Sequence, residues 1–288
     1  MPVFADASRE EIRHLLQLFP ITYLKASWPE FRGTKDQIAT QVAGSADRQA
    51  IANFVVDNFT CCKQHVRVFT LGQGQLTFPV GLAGGEQIHQ AADTQAMYMV
   101  RVNHKVILSD PLEHAHMNFL WPILIQRLGD NLVLRSVGLE KDLEAYFDRP
   151  CFVRSRDIEE DDVIEELAPL HLGVADLHAG VKSLWENGFM DAIRTTFKKP
   201  YSQASEKMDE GKGIREHYPE LYETLKVSTL FSTLFIIQKT ADCSVGAVTC
   251  NPSAGFLSFS SYAEKQNGTD YVVSQILQQN QPAAAQDS

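Results

Sequence analysis

The runs QAMYMVRVNHKVIL (residues 95–108), NFLWPILIQRL (118–128) and NLVLRSV (131–137) decide the fold class. They are rich in β-branched, aromatic and aliphatic residues, and only Gly129-Asp130 separates the last two. Such a dipeptide between strand-like runs predicts a two-residue hairpin, so the region reads as an antiparallel meander. Pro122 has no N–H for a ladder and predicts an edge strand or a bulge. Upstream, HVRVFTL (65–71) is also strand-like. The connection from Gly72 to Gly85 holds five glycines and Pro79 and reads as a loop. It lacks the Gly-Lys-Ser/Thr ending of a phosphate-binding loop.

Downstream, EKDLEAYF (140–147), Asp157 to Leu167 and Val174 to Glu186 read as helices, the last stopping at Asn187-Gly188. Lys198 to Gly213 is polar and reads as a loop, and HYPELYETL (217–225) as a short helix. Strand signals return in TLFSTLFIIQK (229–239) and GFLSFSSY (255–262), followed by a helix from about Thr269 to Gln278 and a frayed tail, 281–288. In the acidic cluster Asp157, Glu159, Glu160, Asp161 and Asp162, the carboxylates favour the positive end of a helix dipole and need no ligand.

Ahead of the meander, SREEIRHLLQLF places Ile12, Leu15, Leu16 and Phe19 at helical spacing behind a Ser8/Glu11 capping box. Pro20 ends that helix, and further helices are expected over 22–28, 34–42 and 47–58. The organisation expected is a helical unit over 1–60 and a body over 61–280, strand-rich at 61–137 and 229–262 and helical at 139–228. Helices, then strands, then helices, then strands argue α+β rather than regular β-α alternation.

The chain has 288 residues, is 44% hydrophobic and carries a formal charge of −10. That length and apolar content suffice for a well-buried core. The charge is uneven: residues 1–60 hold 6 basic and 7 acidic side chains, 61–154 hold 9 and 9, and 155–288 hold 11 and 20. A strongly basic nucleic-acid footprint is therefore absent overall, which leaves room only for local contacts. Five cysteines, an odd and dispersed number, argue against a disulfide framework. The polar start MPVFADASREE and the lack of a long apolar run predict a soluble, cytoplasmic protein with no membrane partner.

Signals for chemistry are sparse. Gly-x-Ser-x-Gly does not occur, which removes one class of serine hydrolase. His114 and His116, preceded by Glu113, could offer two imidazoles to a metal from one side of an extended segment, with His171, His178 or Asp110 as a third ligand. The competing reading is surface histidines after Pro111. Cys61, Cys62 and His65 suggest part of a zinc cluster, but adjacent cysteines fit tetrahedral sites poorly, and buried thiols explain them better. Arg194, Lys198, Lys199, Lys207 and Lys212, with Phe197 and Tyr201, form a basic stretch suited to a nucleic-acid backbone or to an ordinary solvated helix end and loop. No cofactor is called for.

One local resemblance remains, carried by Leu24-Lys25 and the run GTKDQIATQV from Gly33 to Val42. Residues 20–43 resemble a SAP-like helix-extended-loop-helix module. The resemblance implies a core of Leu24, Ile38 and Val42, with Lys25, Arg32, Gly33, Thr34 and Lys35 meeting the backbone of double-stranded DNA. Independently of that family, a Thr-capped helix start with lysine in its first turn attracts anions. Pro29 shortens the first helix, and Glu30 and Asp36 put negative charge beside the contact. The expectation is a non-enzymatic regulatory protein that binds nucleic-acid backbone. The alternatives are an adaptor that docks a protein partner or a second copy of itself, and a metal-assisted hydrolase.

Overall fold

The computed structural model describes residues 3–72, 77–108, 114–138, 151–199, 202–209, 212–240, 242–265 and 268–280. The fold is α+β, with N-terminal helices preceding antiparallel strands. Its contacts divide it into two compact units, 1–62 with 71–172, and 63–70 with 173–288.

The first unit opens with α1 (Arg9–Gln17), α2 (Ile21–Ser27), α3 (Lys35–Ser45) and α4 (Arg48–Asn58). Ser8 caps α1 through the reciprocal box with Glu11, and Ile12, Leu15 and Leu16 are buried as their spacing requires. Strand β1 (Gln64–Thr70) belongs to the second unit. The meander follows with β2 (Glu86–Ala91), β3 (Gln95–Leu108), β4 (His114–Leu128) and β5 (Asn131–Val137), paired in that order. The β4–β5 turn is Gly129-Asp130, with Gly129 at φ 61° in the left-handed region that glycine enters without penalty. Then come β6 (Cys151–Arg156), which pairs with the far end of β3, and α5 (Glu160–Glu166).

Two expectations need correction here. β4 is central, between β3 and β5, rather than an edge. Pro122 is accommodated because the β5 ladder ends at Ile123↔Ser136, so the strand has no β5 partner where the N–H is missing. Nor do residues 1–60 form a separate module. Arg101 of β3 ion-pairs with Glu11 at 2.5 Å, the Phe4 amide donates to Glu86 at 2.8 Å, and His14 stacks on Phe119 at 5.1 Å. The sheet is apolar on both faces, with Ala96 through Val100 all buried, and it needs those helices as a cover.

The second unit adds β7 (Gly173–Val174), α6 (His178–Glu186), β8 (Met190–Lys199), β9 (Ser202–Lys207), α7 (Ile214–His217), α8 (Pro219–Val227), β10 (Leu230–Ile237), β11 (Ala247–Asn251), β12 (Phe256–Phe259) and α9 (Gly268–Gln279). Its strands pair antiparallel in the order β7-β1-β12-β11-β10-β8-β9. The expected helical stretch 139–228 is thus interrupted by β6, β7, β8 and β9, and the expected loop from Lys198 contains β9. Residues 139–150, and with them the expected helix 140–147, lie outside the described residues, as does the tail 281–288. The buried residues of β8 are Met190 and Ala192 and then, past a break in the β10 register, Thr195 and Phe197, so the inward parity changes within the strand. The short, charged and threonine-rich run MDAIRTTFKK hides that pattern.

The buried face carries Val66, Val68, Phe235, Val248, Cys250, Leu257 and Phe259. Trp185 of α6 packs edge-on against Phe235 at 5.5 Å and Tyr222 at 5.0 Å, and its indole N–H donates to Asp191 at 2.8 Å. Gly188, at φ 85°, follows the Asn187 cap of α6 as the Asn-Gly pair predicts. Among the described residues no helix is long and apolar enough to cross a membrane.

Candidate nucleic-acid interface

The segment α2–extended–α3 is built by a few apolar contacts. Pro20 precedes α2, whose Leu24 is fully buried. After Trp28 the chain leaves the helix, and Trp28 and Phe19 both pack on Phe54 of α4, at 4.7 and 4.9 Å. Gly33 sits at φ 120°, open to glycine but strained for other residues, and lets the chain turn into α3. Ile38 and Val42 are buried with Leu24, at the i, i+4 spacing of one helix face.

Around that turn Lys25, Arg32, Gly33 and Thr34 are exposed and Lys35 is half-buried. Thr34 Oγ1 accepts from the Gln37 amide at 3.3 Å, and Gln37 Oε1 accepts from the Thr34 amide at 2.9 Å. This capping box satisfies two donors at the helix start from within the chain. The Gln41 side chain donates to the Arg32 carbonyl at 3.3 Å. Asp36 ion-pairs with Arg13 at 3.0 Å and accepts from Gln17. Its charge is therefore directed to α1, while exposed Glu30 remains beside the cationic side chains.

The other candidates are dispersed. His116 is exposed on β4, with Nδ1 3.0 Å from Asn103 Oδ1. The backbone of His114 begins β4, and Asp110 and Glu113 lie outside the described residues. His178 is occupied: Nδ1 lies 2.6 Å from Asp176 and Nε2 3.1 Å from the Leu230 amide. A carboxylate only accepts, so Nδ1–H donates to Asp176, while Nε2 lies 3.1 Å from both the amide nitrogen and the carbonyl oxygen of Leu230. That clamp ties α6 to β10. Burial opposes ionisation of Asp176, but hydrogen bonds from His178 and nearby Lys182 hold its carboxyl below the ordinary range. His171 takes a left-handed conformation at the end of a short turn and is exposed. Among the described residues no group of three His, Cys, Asp or Glu side chains could hold a metal ion.

Cys61, Cys62, Cys243 and Cys250 are buried and form no disulfide. Burial raises the Cys243 and Cys250 thiols above their ordinary range, which makes them poor nucleophiles.

A cleft of about 320 Å³, lined by Gly188, Asp191, Gly213, Arg215 and Glu216 among others, had no signal in the sequence. Asp191 accepts from the amides of Arg215 and Glu216 as well as from Trp185, so a β8 carboxylate caps the short helix α7. The capping residue and its helix are more than twenty positions apart, a spacing that local pattern reading does not detect.

A scan against models of known protein families matches none, and a search of curated proteins finds no relative.

Proposed function

We propose that this is a non-enzymatic interaction protein whose α2–α3 segment contacts nucleic-acid backbone without reading sequence. The observation that supports it is that exposed Lys25 and Arg32 and half-buried Lys35 belong to the segment that leads into the Gly33-Thr34 start of an 11-residue helix, with the first-turn carboxylate, Asp36, turned to Arg13. Helix starts and lysines bind phosphate through charge and backbone N–H groups, and such contacts position a protein without specifying bases. Binding of this kind is weak, with Kd on the order of 10⁻⁴ to 10⁻⁶ M at physiological salt. Fluorescence anisotropy with a labelled DNA duplex, titrated with salt, is the test. We expect salt-sensitive binding that Lys35→Glu weakens several-fold; binding that is absent, or indifferent to Lys35→Glu, overturns the reading.

A second reading, docking of a protein partner, is favoured by the closed Thr34/Gln37 capping box and by Glu30 beside it. It predicts a stoichiometric protein complex that Arg32→Glu disrupts, with no salt-dependent affinity for duplex.

A further inference from the structure

We infer a second nucleic-acid contact, on the β8–β9 ribbon of the second unit, made by Arg194, Lys198 and Lys207. In sequence these cations are scattered over a stretch that reads as a solvated helix end and loop. The ladder brings them together: Arg194 lies directly opposite Lys207, and Lys198 opposite Gln203. Residues directly opposite in an antiparallel pair share a face, and so do residues two or four apart along a strand. All three cations are therefore on one face, together with the hydroxyls of Thr196 and Ser205, which are also paired.

Three observations make this face an anion surface rather than an ordinary solvated one. Arg194, Lys198 and Lys207 are exposed and, among the described residues, have no ion pair or hydrogen bond from their side chains. The outward positions of the ribbon itself carry no carboxylate although residues 155–288 hold 20 acidic against 11 basic side chains, and exposed Asp209 just beyond β9 is paired with Lys212 at 3.1 Å. Glu206 sits at the inward register opposite Thr195, Asp191 caps α7, and the outward positions of β9, β10 and β11 carry no acid. Like charges directly opposite one another, as Arg194 and Lys207 are, oppose strand pairing, and a bound polyanion relieves that repulsion.

The chemistry selects nucleic-acid backbone. Arg194 and Lys198 are four positions apart along the strand, a span of roughly 13 Å, which matches about four base-pair steps of duplex at ~3.4 Å each. The outward positions of the ribbon hold no aromatic ring, so the face offers phosphate and sugar contacts and no base-stacking platform.

The test is anisotropy of a labelled mixed-sequence duplex on the full chain, at salt from about 50 to 200 mM, where phosphate contacts dominate the salt dependence. The double variant Lys198→Glu, Lys207→Glu should weaken binding at least tenfold, and the neutral pair Lys198→Gln, Lys207→Gln should lower the log–log salt slope by about 1.8, at roughly 0.9 per lost phosphate contact. Unchanged affinity and slope in both overturn the inference. So does equal displacement of the protein by polyglutamate and by unlabelled duplex, which would make the face a dock for acidic protein. Lys35→Glu separates this surface from the α2–α3 reading. Loss with Lys35→Glu alone leaves that reading and overturns this one, and loss with the ribbon variants alone does the reverse.

Discussion

His104 shows what one misplaced-looking polar residue does to a core. It lies in β3, fully buried, edge-on to Phe119 at 5.2 Å, with neither ring nitrogen hydrogen-bonded among the described residues. Burial, reinforced by the Arg156 guanidinium and only partly offset by Asp157, lowers its pKa to about 4. Because the folded value lies below the unfolded one near 6.5, the unfolded chain binds more protons between the two, and stability falls as pH drops through that window. The loss should approach roughly 3 kcal/mol by pH 4. Urea midpoints measured at pH 7, 5.5 and 4.5 should show this decline, and His104→Leu should flatten it. His14, buried and stacked on the same Phe119, is also held below its ordinary range, chiefly by burial, and Glu10 opposes the shift. Its contribution has the same sign. The alternation in VRVNHKV puts His104 on the same side of the strand as Val100, Val102 and Val106, but that this side is closed over an imidazole without a hydrogen-bond partner is set by tertiary packing.

Among the elements, the helix starts were the most legible. Ser8/Glu11 and Thr34/Gln37 are local boxes whose donors and acceptors lie three residues apart, and both form. Ser8→Ala should cost about 1 kcal/mol, measurable by chemical denaturation. The strands of the meander were legible for a different reason, since β3, β4 and β5 are long and nearly continuous apolar runs. β8 and β9 were not. Their inward residues include Thr195 and Ala204, and their outward residues are the charged and hydroxyl side chains that also compose loops. The packing of α6 on α9 was equally hidden. Gly180 lets the helices approach so closely that a Cβ there would collide with the Ile276 carbonyl, while its amide donates to Asn280 at 2.9 Å. Gly180→Ala should therefore destabilise by about 1–3 kcal/mol despite its better helix propensity, seen as a lowered Tm.

At the scale of the whole molecule, the helical N-terminus and the meander are one compact unit. Residues 1–62 expressed alone should show reduced helicity and no cooperative thermal transition by circular dichroism, since Glu11, His14 and Phe4 lose Arg101, Phe119 and Glu86. The α2–α3 segment is accordingly tested by point substitution in the full chain. What the amino-acid sequence determined by itself was the class of fold, the capped helix starts, the Gly129-Asp130 hairpin and the local basic residues, all set by side chains within a few positions of one another. Only the tertiary structure decided which faces are covered, where His104 is buried, how Asp191 reaches α7, and that Arg194, Lys198 and Lys207 share one side of a ribbon. Those outcomes depend on strand pairing between segments distant along the chain, and the free energy of such pairing comes from surfaces that do not exist until the partners meet.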